Sequence, residues 1–302
     1  MEIKGMRIVV AGASGLVGSA LVPLLKAEGA EVTRLVRSAA AASGEIEWHP
    51  DRGSIDAPAL GGFDAIINLA GDGIADGRWT EEKKRRILDS RVNGTRLLSE
   101  TMAKVSRKPA AFINASAIGF YGSRGDELVD EESGPGEGFL ASVCRQWESA
   151  TAPAEQAGIR VVKLRFGVIL TKDGGIMGSM LRPFKLGLGG KVGSGKQVIS
   201  WVAMDDVVAA INFILHDESL RGPINVVAPR PVTNEEFTKT LGRVLSRPTF
   251  MAMPAFAARL AFGEMADEMM LSSTRVAGKV LNDAGFEFQY PELEGAVRAM
   301  LG

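Results

Sequence analysis

The chain has 302 residues, 46% of them hydrophobic and 24% charged, with a formal net charge of −1. This is ordinary globular composition. The near-zero charge without a polybasic run argues against a nucleic-acid partner, and no apolar stretch reaches the ~20 residues of a membrane helix. One cysteine, Cys144, excludes an internal disulfide, and with only two histidines, His49 and His216, it leaves no Cys/His metal cluster.

Met1 to Met6 shows no signal-peptide core, so the expected location is cytoplasmic. The first strand follows at once: Ile8, Val9 and Val10 are a β-branched run too short for a helix and suited to burial on both faces. After the turn Gly12-Ala13-Ser14-Gly15-Leu16-Val17-Gly18, apolar residues from Leu16 to Leu25 recur at helical spacing, and Gly29 ends the helix. Val32 to Val36 is a second strand, which completes a βαβ unit of about thirty residues. Gly12 permits the tight reversal, Gly15 lets a pyrophosphate approach the backbone, and Gly18 lets the helix pack close to the sheet. The helix N-terminus offers its free N–H groups and partial positive charge to the phosphates. Three glycines alone would mean little in a chain with 36 of them; the flanking strand and helix make this a dinucleotide site. Where an acidic residue would take the ribose hydroxyls of NAD, the chain has Val36-Arg37-Ser38. A guanidinium can pair with a 2′-phosphate and the serine hydroxyl can add a hydrogen bond, so NADP is favoured over NAD. A solvated surface charge is the plainer alternative for Arg37.

Ala39 to Ser43 reads as a surface connection, Ile46 to His49 as a short strand, and Asp64 to Gly71 as a clear strand whose Ala-Gly tip faces the cofactor. A glycine-rich loop, Gly71 to Gly77, precedes Arg78-Trp79. Thr80 is the expected N-cap, with Glu81 and Glu82 in the first turn, of a helix to about Val105. Its Lys83-Lys84-Arg85-Arg86 cluster reads as a solvated face. Ala111 to Ser116 is the next strand. Gly119 to Gly138 is a long, acidic, structureless loop of the kind tied to function. One helix is expected over Phe139 to Ala157, then a strand over Arg160 to Gly167. This alternation implies a parallel sheet covered on both faces.

From Ile169 the rhythm changes. Met177 to Gly195 reads as a mobile wall or lid. Inside it, Gly190 to Gln197 nearly matches a P-loop, but it lacks the final Ser or Thr and precedes a strand-like run, Val198 to Val202. Asp205 reads as the cap of a helix, Pro223 to Val227 as a strand, and Thr233 to Leu245 as a helix with a Thr233–Glu236 capping box. The last fifty residues are helical in character. The expected division is an NADP-binding domain over 1–168, with a returning segment near 198–228, and a smaller, mainly helical substrate-side domain over 169–302.

These motifs resemble the extended and atypical short-chain dehydrogenase/reductase superfamily. The matching pieces are Gly12-x-x-Gly15-x-x-Gly18, Asn68-Leu69-Ala70-Gly71, Asn93-Gly94-Thr95, Ser116 to Gly122, Leu164 to Gly167 and Trp201 to Val207. Gly263 to Glu268 and Ala284 to Pro291, with Arg78-Trp79-Thr80 and Phe139-Leu140-Ala141, resemble the sugar-nucleotide-epimerase-like (YfcH-type) subgroup, whose C-terminal domain has no known function. The resemblance implies an α/β fold with a Rossmann-like, doubly wound parallel sheet, the C-terminal half holding substrate over the strand ends. It implies cofactor contacts from Gly12, Ser14, Gly15, Leu16, Val17, Arg37, Leu69 and Ala70, with Ser116 near the nicotinamide. Gly18, Ser38 and Gly71 join this set from the glycine and strand-tip pattern.

Enzymes of the superfamily use a Tyr, a Lys four residues on, and a Ser or Thr from the preceding strand. The lysine lowers the tyrosine pKa so that it can exchange the substrate hydroxyl proton. In the matching register this chain has Phe139 and Val143, and the serine position falls on Ala117 with Ser116 one residue earlier. Ser116 and Tyr121 remain as catalytic candidates. Cys144 reads as a small buried apolar group, Lys163 as solvated or phosphate-paired, and Arg165 as an anion binder or the partner of an acid. Trp79 and Trp201 line either the pocket or the core. Two readings stand: an NADP(H)-dependent oxidoreductase or epimerase-like enzyme acting on a small polar molecule such as a nucleotide-linked sugar, or a non-catalytic NADP(H)-binding sensor or interaction protein. The expected state is a monomer or homodimer without a metal.

Overall fold

The computed structural model describes residues 3–38, 43–75 and 77–302, so the expected connection over Ala39 to Ser43 lies, except for Ser43, outside the described residues. The first half contains β1 (Arg7–Ala11), α1 (Leu16–Ala27), β2 (Glu31–Val36), β3 (Glu45–His49), β4 (Ser54–Ile55), β5 (Ala65–Asn68), α2 (Glu81–Lys104) and β6 (Ala111–Ala117). A 3-10 turn at Ile118–Tyr121 leads to β7 (Leu128–Val129), α3 (Phe139–Ser149), α4 (Ala152–Gln156), β8 (Arg160–Phe166) and β9 (Val168–Leu170). The remainder comprises α5 (Gly175–Lys185), β10 (Val198–Ile199), β11 (Trp201–Ala203), α6 (Met204–His216), β12 (Gly222–Val226), β13 (Val232–Thr233), α7 (Asn234–Leu245), α8 (Ala255–Phe262), β14 (Arg275–Val276), α9 (Lys279–Asp283) and α10 (Leu293–Leu301).

Eight strands form the central sheet in the order β12-β8-β6-β5-β1-β2-β3-β4. Every pairing is parallel except β3 with β4. Successive side chains of β1 point to opposite faces. Ile8 and Val10 enter a core with Leu21 and Leu25 of α1 and Val207 and Ile211 of α6. Val9 and Ala11 enter another with Leu98 and Met102 of α2 and Ala154 of α4. Chain order runs outward in both directions from β1 and β5, so the crevice beyond their C-terminal ends is the topological switch point, where ligands of such sheets bind.

Four expectations change. The helix expected over 139–157 is two, α3 and α4, because Pro153 has no N–H to continue the ladder and Thr151 Oγ1 instead donates to the Glu148 carbonyl at 2.7 Å. The 119–138 loop is structured: the 3-10 turn opens it, and β7 pairs with β14. The first half of the 177–195 segment is the packed helix α5, whose Met177, Leu181 and Phe184 share a third core with Phe237 and Leu241 of α7 and Val297 of α10. Asp205 does not cap α6. Ala203 precedes that helix, and it is the neighbouring Asp206 whose carboxylate is engaged, accepting the Gln289 and Tyr290 N–H groups at 2.6 and 3.1 Å. The Thr233–Glu236 capping box is present as read. The run 198–202 divides at Ser200, with β10 pairing to β13 and β11 to β9. The returning segment reaches the main sheet through α6 and β12.

Candidate functional site

At the end of β1 the chain turns through Gly12 with φ of +76°. A Cβ there would stand 2.7–2.8 Å from the Leu69 carbonyl and the Ala70 nitrogen, so only glycine lets the two strand tips lie this close. A Cβ on Gly18 would collide with the Gly12 carbonyl oxygen. Gly15 precedes α1 in extended backbone; no side chain caps the helix, and no acidic residue lies in its first turn. The Ser19 N–H makes the helix bond to the Gly15 carbonyl at 2.9 Å, which leaves the preceding N–H groups of the first turn without an intrahelical acceptor. Ser14 and Gly15 are exposed there. Unpaired donors, a helix dipole and no competing carboxylate are what an anionic pyrophosphate needs. Gly174 and Gly175, at the entry of α5, border the same turn: a Cβ on Gly174 would lie 3.1 Å from Leu16 Cδ1. Arg37 and Ser38 follow β2, the neighbour of β1, and both are exposed. Arg37 has no ion pair among the described residues.

The opposite rim is the β5 tip, Leu69-Ala70-Gly71. A buried amide network fixes it. Asn68 Nδ2 donates to Thr95 Oγ1 and to Asn114 Oδ1 at 2.9 and 2.8 Å, and Asn68 Oδ1 accepts the Ala70 N–H at 3.3 Å. Trp147 Nε1 donates to Thr95 Oγ1 at 2.9 Å. Beyond Gly71, Arg91 donates to the Asp72 and Ile87 carbonyls, both at 3.0 Å, and lies over the Trp147 ring. Burial draws the Arg91 pKa down. The Asp72 carboxylate takes a 2.8 Å bond from Lys83, and that bond, chiefly, holds its pKa below the usual range. Thus Lys83, the first residue of the basic cluster read as solvated, is buried and paired. Sequence reasoning missed Arg91 and the role of Thr95; the Asn93-Gly94-Thr95 motif was the available signal.

Ser116, Tyr121 and Arg165 come together at the ends of β6 and β8, but inside the protein. Ser116 Oγ donates to Glu148 Oε1 at 2.7 Å. Arg165 grips the same carboxylate with Nε and Nη2 at 2.8 and 2.9 Å and donates through Nη1 to the Tyr121 hydroxyl at 2.9 Å. Tyr121 donates to Asn225 Oδ1 at 2.8 Å, and the guanidinium stacks 3.5 Å from the Phe120 ring centre. Ser116 is 2% exposed and Tyr121 fully buried. Burial pushes the Tyr121 pKa up to about 12, against the opposing charge of Arg165. Burial, helped by the Glu148 charge, also pushes Cys144 up to about 12. Burial pulls Arg165 down, yet the bonds and charge of Glu148 outweigh it and its pKa is raised. Both catalytic candidates therefore have their hydroxyls committed to a closed network. Arg165 is the partner of an acid, Cys144 is buried, and Lys163 pairs with Glu155 at 2.8 Å.

Phe139 opens α3 and is half-buried; Val143, one turn on, is buried. The Phe139 ring meets Trp79 edge-on at 5.2 Å, and Lys84 Nζ lies 5.1 Å from its centre. Glu268, from a π-turn at Ala266–Met270, accepts the Phe139 and Leu140 N–H groups at 3.0 and 3.1 Å. Gly138, with φ of +102°, leaves room for that carboxylate. Trp79 donates its indole N–H to the Ile74 carbonyl at 2.8 Å, whereas Trp201 is fully buried core. Among the described residues no group of three His, Cys, Asp or Glu is placed to hold a metal, and no helix is long and apolar enough to cross a membrane.

The model of the NAD dependent epimerase/dehydratase family matches residues 8–227, and that of a domain of unknown function, DUF1731, matches residues 253–300. The epimerase family protein Mb2239 of Mycobacterium bovis is 45% identical over 283 residues, covering 94% of this chain and 93% of that protein. The crystal structure of human epimerase family protein SDR39U1 (isoform 2) with NADPH superposes with a TM-score of 0.90 at 33% identity, over 98% of this chain and 99% of that one. UDP-N-acetylglucosamine 4-epimerase from Bacillus cereus has a TM-score of 0.76 at 16% identity, over 98% of each chain, and shares the fold.

Proposed function

The chain belongs to the NAD dependent epimerase/dehydratase family, and from that premise we propose that it is an NADP(H)-dependent oxidoreductase or epimerase-like enzyme working without a Tyr-x-x-x-Lys pair. The observation that carries the cofactor is the uncapped start of α1 at the switch point of the sheet, with Arg37 exposed beside it. The human relative was crystallised with NADPH, which supports the same choice. In this reading the backbone from Gly12 to Gly18 and the Ser14 side chain hold the pyrophosphate. Arg37 and Ser38 hold the 2′-phosphate, Leu69 to Gly71 form the facing wall, and Ser116 lies beneath the nicotinamide end. A bound nicotinamide supplies or accepts a hydride. Residues 1–168 with the returning segment carry the cofactor, and 169–302 shape the substrate side.

Phe139 and Val143 at the acid/base register, with Ser116 and Tyr121 closed off, favour a second reading: a protein that binds NADP(H) and senses it. A substrate-dependent change in nicotinamide absorbance separates the two. The cofactor assignment is tested by calorimetry with NADPH and NADH. A charge-assisted bond contributes about 1.5–3 kcal/mol, so Arg37→Asp is expected to weaken NADPH at least about tenfold while leaving NADH nearly unchanged. Equal loss of both removes the 2′-phosphate role.

A further inference from the structure

We infer that the Trp79–Phe139 wall is the binding site for a flat, conjugated electron acceptor of the quinone class. The inference rests on the NADP(H) reading and replaces its polar substrate with an aromatic one. The first argument is the supply of protons. Reduction of an ordinary ketone leaves an alkoxide, a base comparable to the anion of water, whose pKa is ~15.7; the protein must then deliver a proton as the hydride arrives. Among the described residues around this wall, no side chain is set to do so. Phe139 and Val143 are apolar, the Ser116 hydroxyl is committed to Glu148, and Tyr121 and Cys144 are buried. Glu268 accepts two backbone N–H groups, and Lys84 is bonded to Glu264. A quinone does not make this demand. Its anion after hydride uptake is a phenolate, the conjugate base of a group with pKa near ~10, and water can protonate it.

The second argument is shape. The Trp79 indole N–H is already spent on the Ile74 carbonyl, so the ring offers its π face rather than a hydrogen bond. Phe139 meets it at an interplanar angle of 67°, and the Glu268 carboxylate holds the backbone that carries the Phe139 ring. Such rings favour flat π systems. The quinone takes a hydride, two electrons with one hydrogen, from the reduced nicotinamide and one proton from water; it leaves as hydroquinone, and the cofactor leaves oxidised.

Binding is tested apart from turnover by titrating the protein with 2-methyl-1,4-naphthoquinone, with and without NADP+, and following tryptophan fluorescence. Of the four tryptophans, Trp48, Trp147 and Trp201 are buried, so Trp79 is the ring a ligand at this wall quenches. The expected result is saturable quenching that Trp79→Phe abolishes. Phe139→Ala is expected to weaken naphthoquinone binding, measured by calorimetry, about tenfold or more. Both variants should keep wild-type NADPH affinity, which shows that they are folded. Quenching that survives in Trp79→Phe, or naphthoquinone affinity unchanged in Phe139→Ala, overturns the inference. So does tight binding of UDP-glucose with none of the quinone. Loss of NADPH binding by the wild type strikes the cofactor reading instead, and the titration without nucleotide still decides the wall.

Discussion

The tips of β1 and β5 and the tips of β6 and β8 lie in one sheet, yet they treat their polar groups in opposite ways. At the first pair the α1 N–H groups, Ser14 and Arg37 have no side-chain partner among the described residues, and the buried amides of Asn68 and Asn114 hold the rim. At the second, Ser116, Glu148, Arg165, Tyr121 and Asn225 satisfy one another. Their chain continues into the C-terminal segment: Asn225 Nδ2 donates to the Ala277 carbonyl, and Glu131 Oε1 accepts the Asn225 N–H and Oε2 the Lys279 N–H. Free donors mark a surface built for an anion. Mutually satisfied donors mark a joint between the sheet and the segment matched by DUF1731.

The sharpest way to break this contrast is Glu148→Ala. It strands the Arg165 guanidinium in the interior, and removing one partner of a buried pair typically costs about 3–5 kcal/mol. Chemical denaturation should show a loss of that size while the folded protein keeps its NADPH affinity. Loss of cofactor binding at intact stability would make this cluster part of the binding site and dissolve the contrast. Replacing both partners, Glu148→Leu with Arg165→Met, should recover most of the stability.

Gly18→Ala probes the open side. Its new methyl collides with the Gly12 carbonyl oxygen, so α1 must retreat from the turn. Overpacking of this kind costs about 1–3 kcal/mol, and the retreat moves the N–H groups proposed to hold the phosphates. NADPH affinity should fall further than thermal stability does, the reverse of Glu148→Ala.

The open side was legible in the sequence because local signals specify it. Gly12, Gly15 and Gly18 act within one turn, and the strand and helix around them follow from apolar spacing. The family motifs quoted between Gly12 and Val207 and again between Gly263 and Pro291 fall within the two family matches. The closed side was not legible. Glu148 partners Arg165 across 17 residues, Tyr121 partners Asn225 across 104, and Glu268 meets Phe139 across 129. No local pattern announces such pairs. Arg165 was open between binding an anion and pairing with an acid, and only the tertiary fold places Glu148 beneath it. The same limit explains α5, whose glycines and methionines suggested mobility although Met177, Leu181 and Phe184 pack into a core.

Asp72 stands between the two regions, one residue beyond the Gly71 tip, and tests how firmly the rim is tied. Its folded pKa lies below the ordinary 3.8, chiefly through the Lys83 bond. A depressed carboxylate pKa contributes stability that is present above the unfolded value and is lost as pH falls through the folded one. Asp72→Asn should therefore be less stable than wild type at neutral pH. The gap should be roughly 1 kcal/mol or less, because the carboxylate is about a third exposed and screened by water. Below pH 3.8 the two denaturation curves should converge as the wild-type carboxyl takes up its proton. A gap that persists in acid would mean that Asp72 works through packing and not through its charge. In that event the Lys83 tie would be incidental, and the rim would rest on the Arg91 bond to the Asp72 carbonyl and on the Asn68–Thr95–Asn114 network.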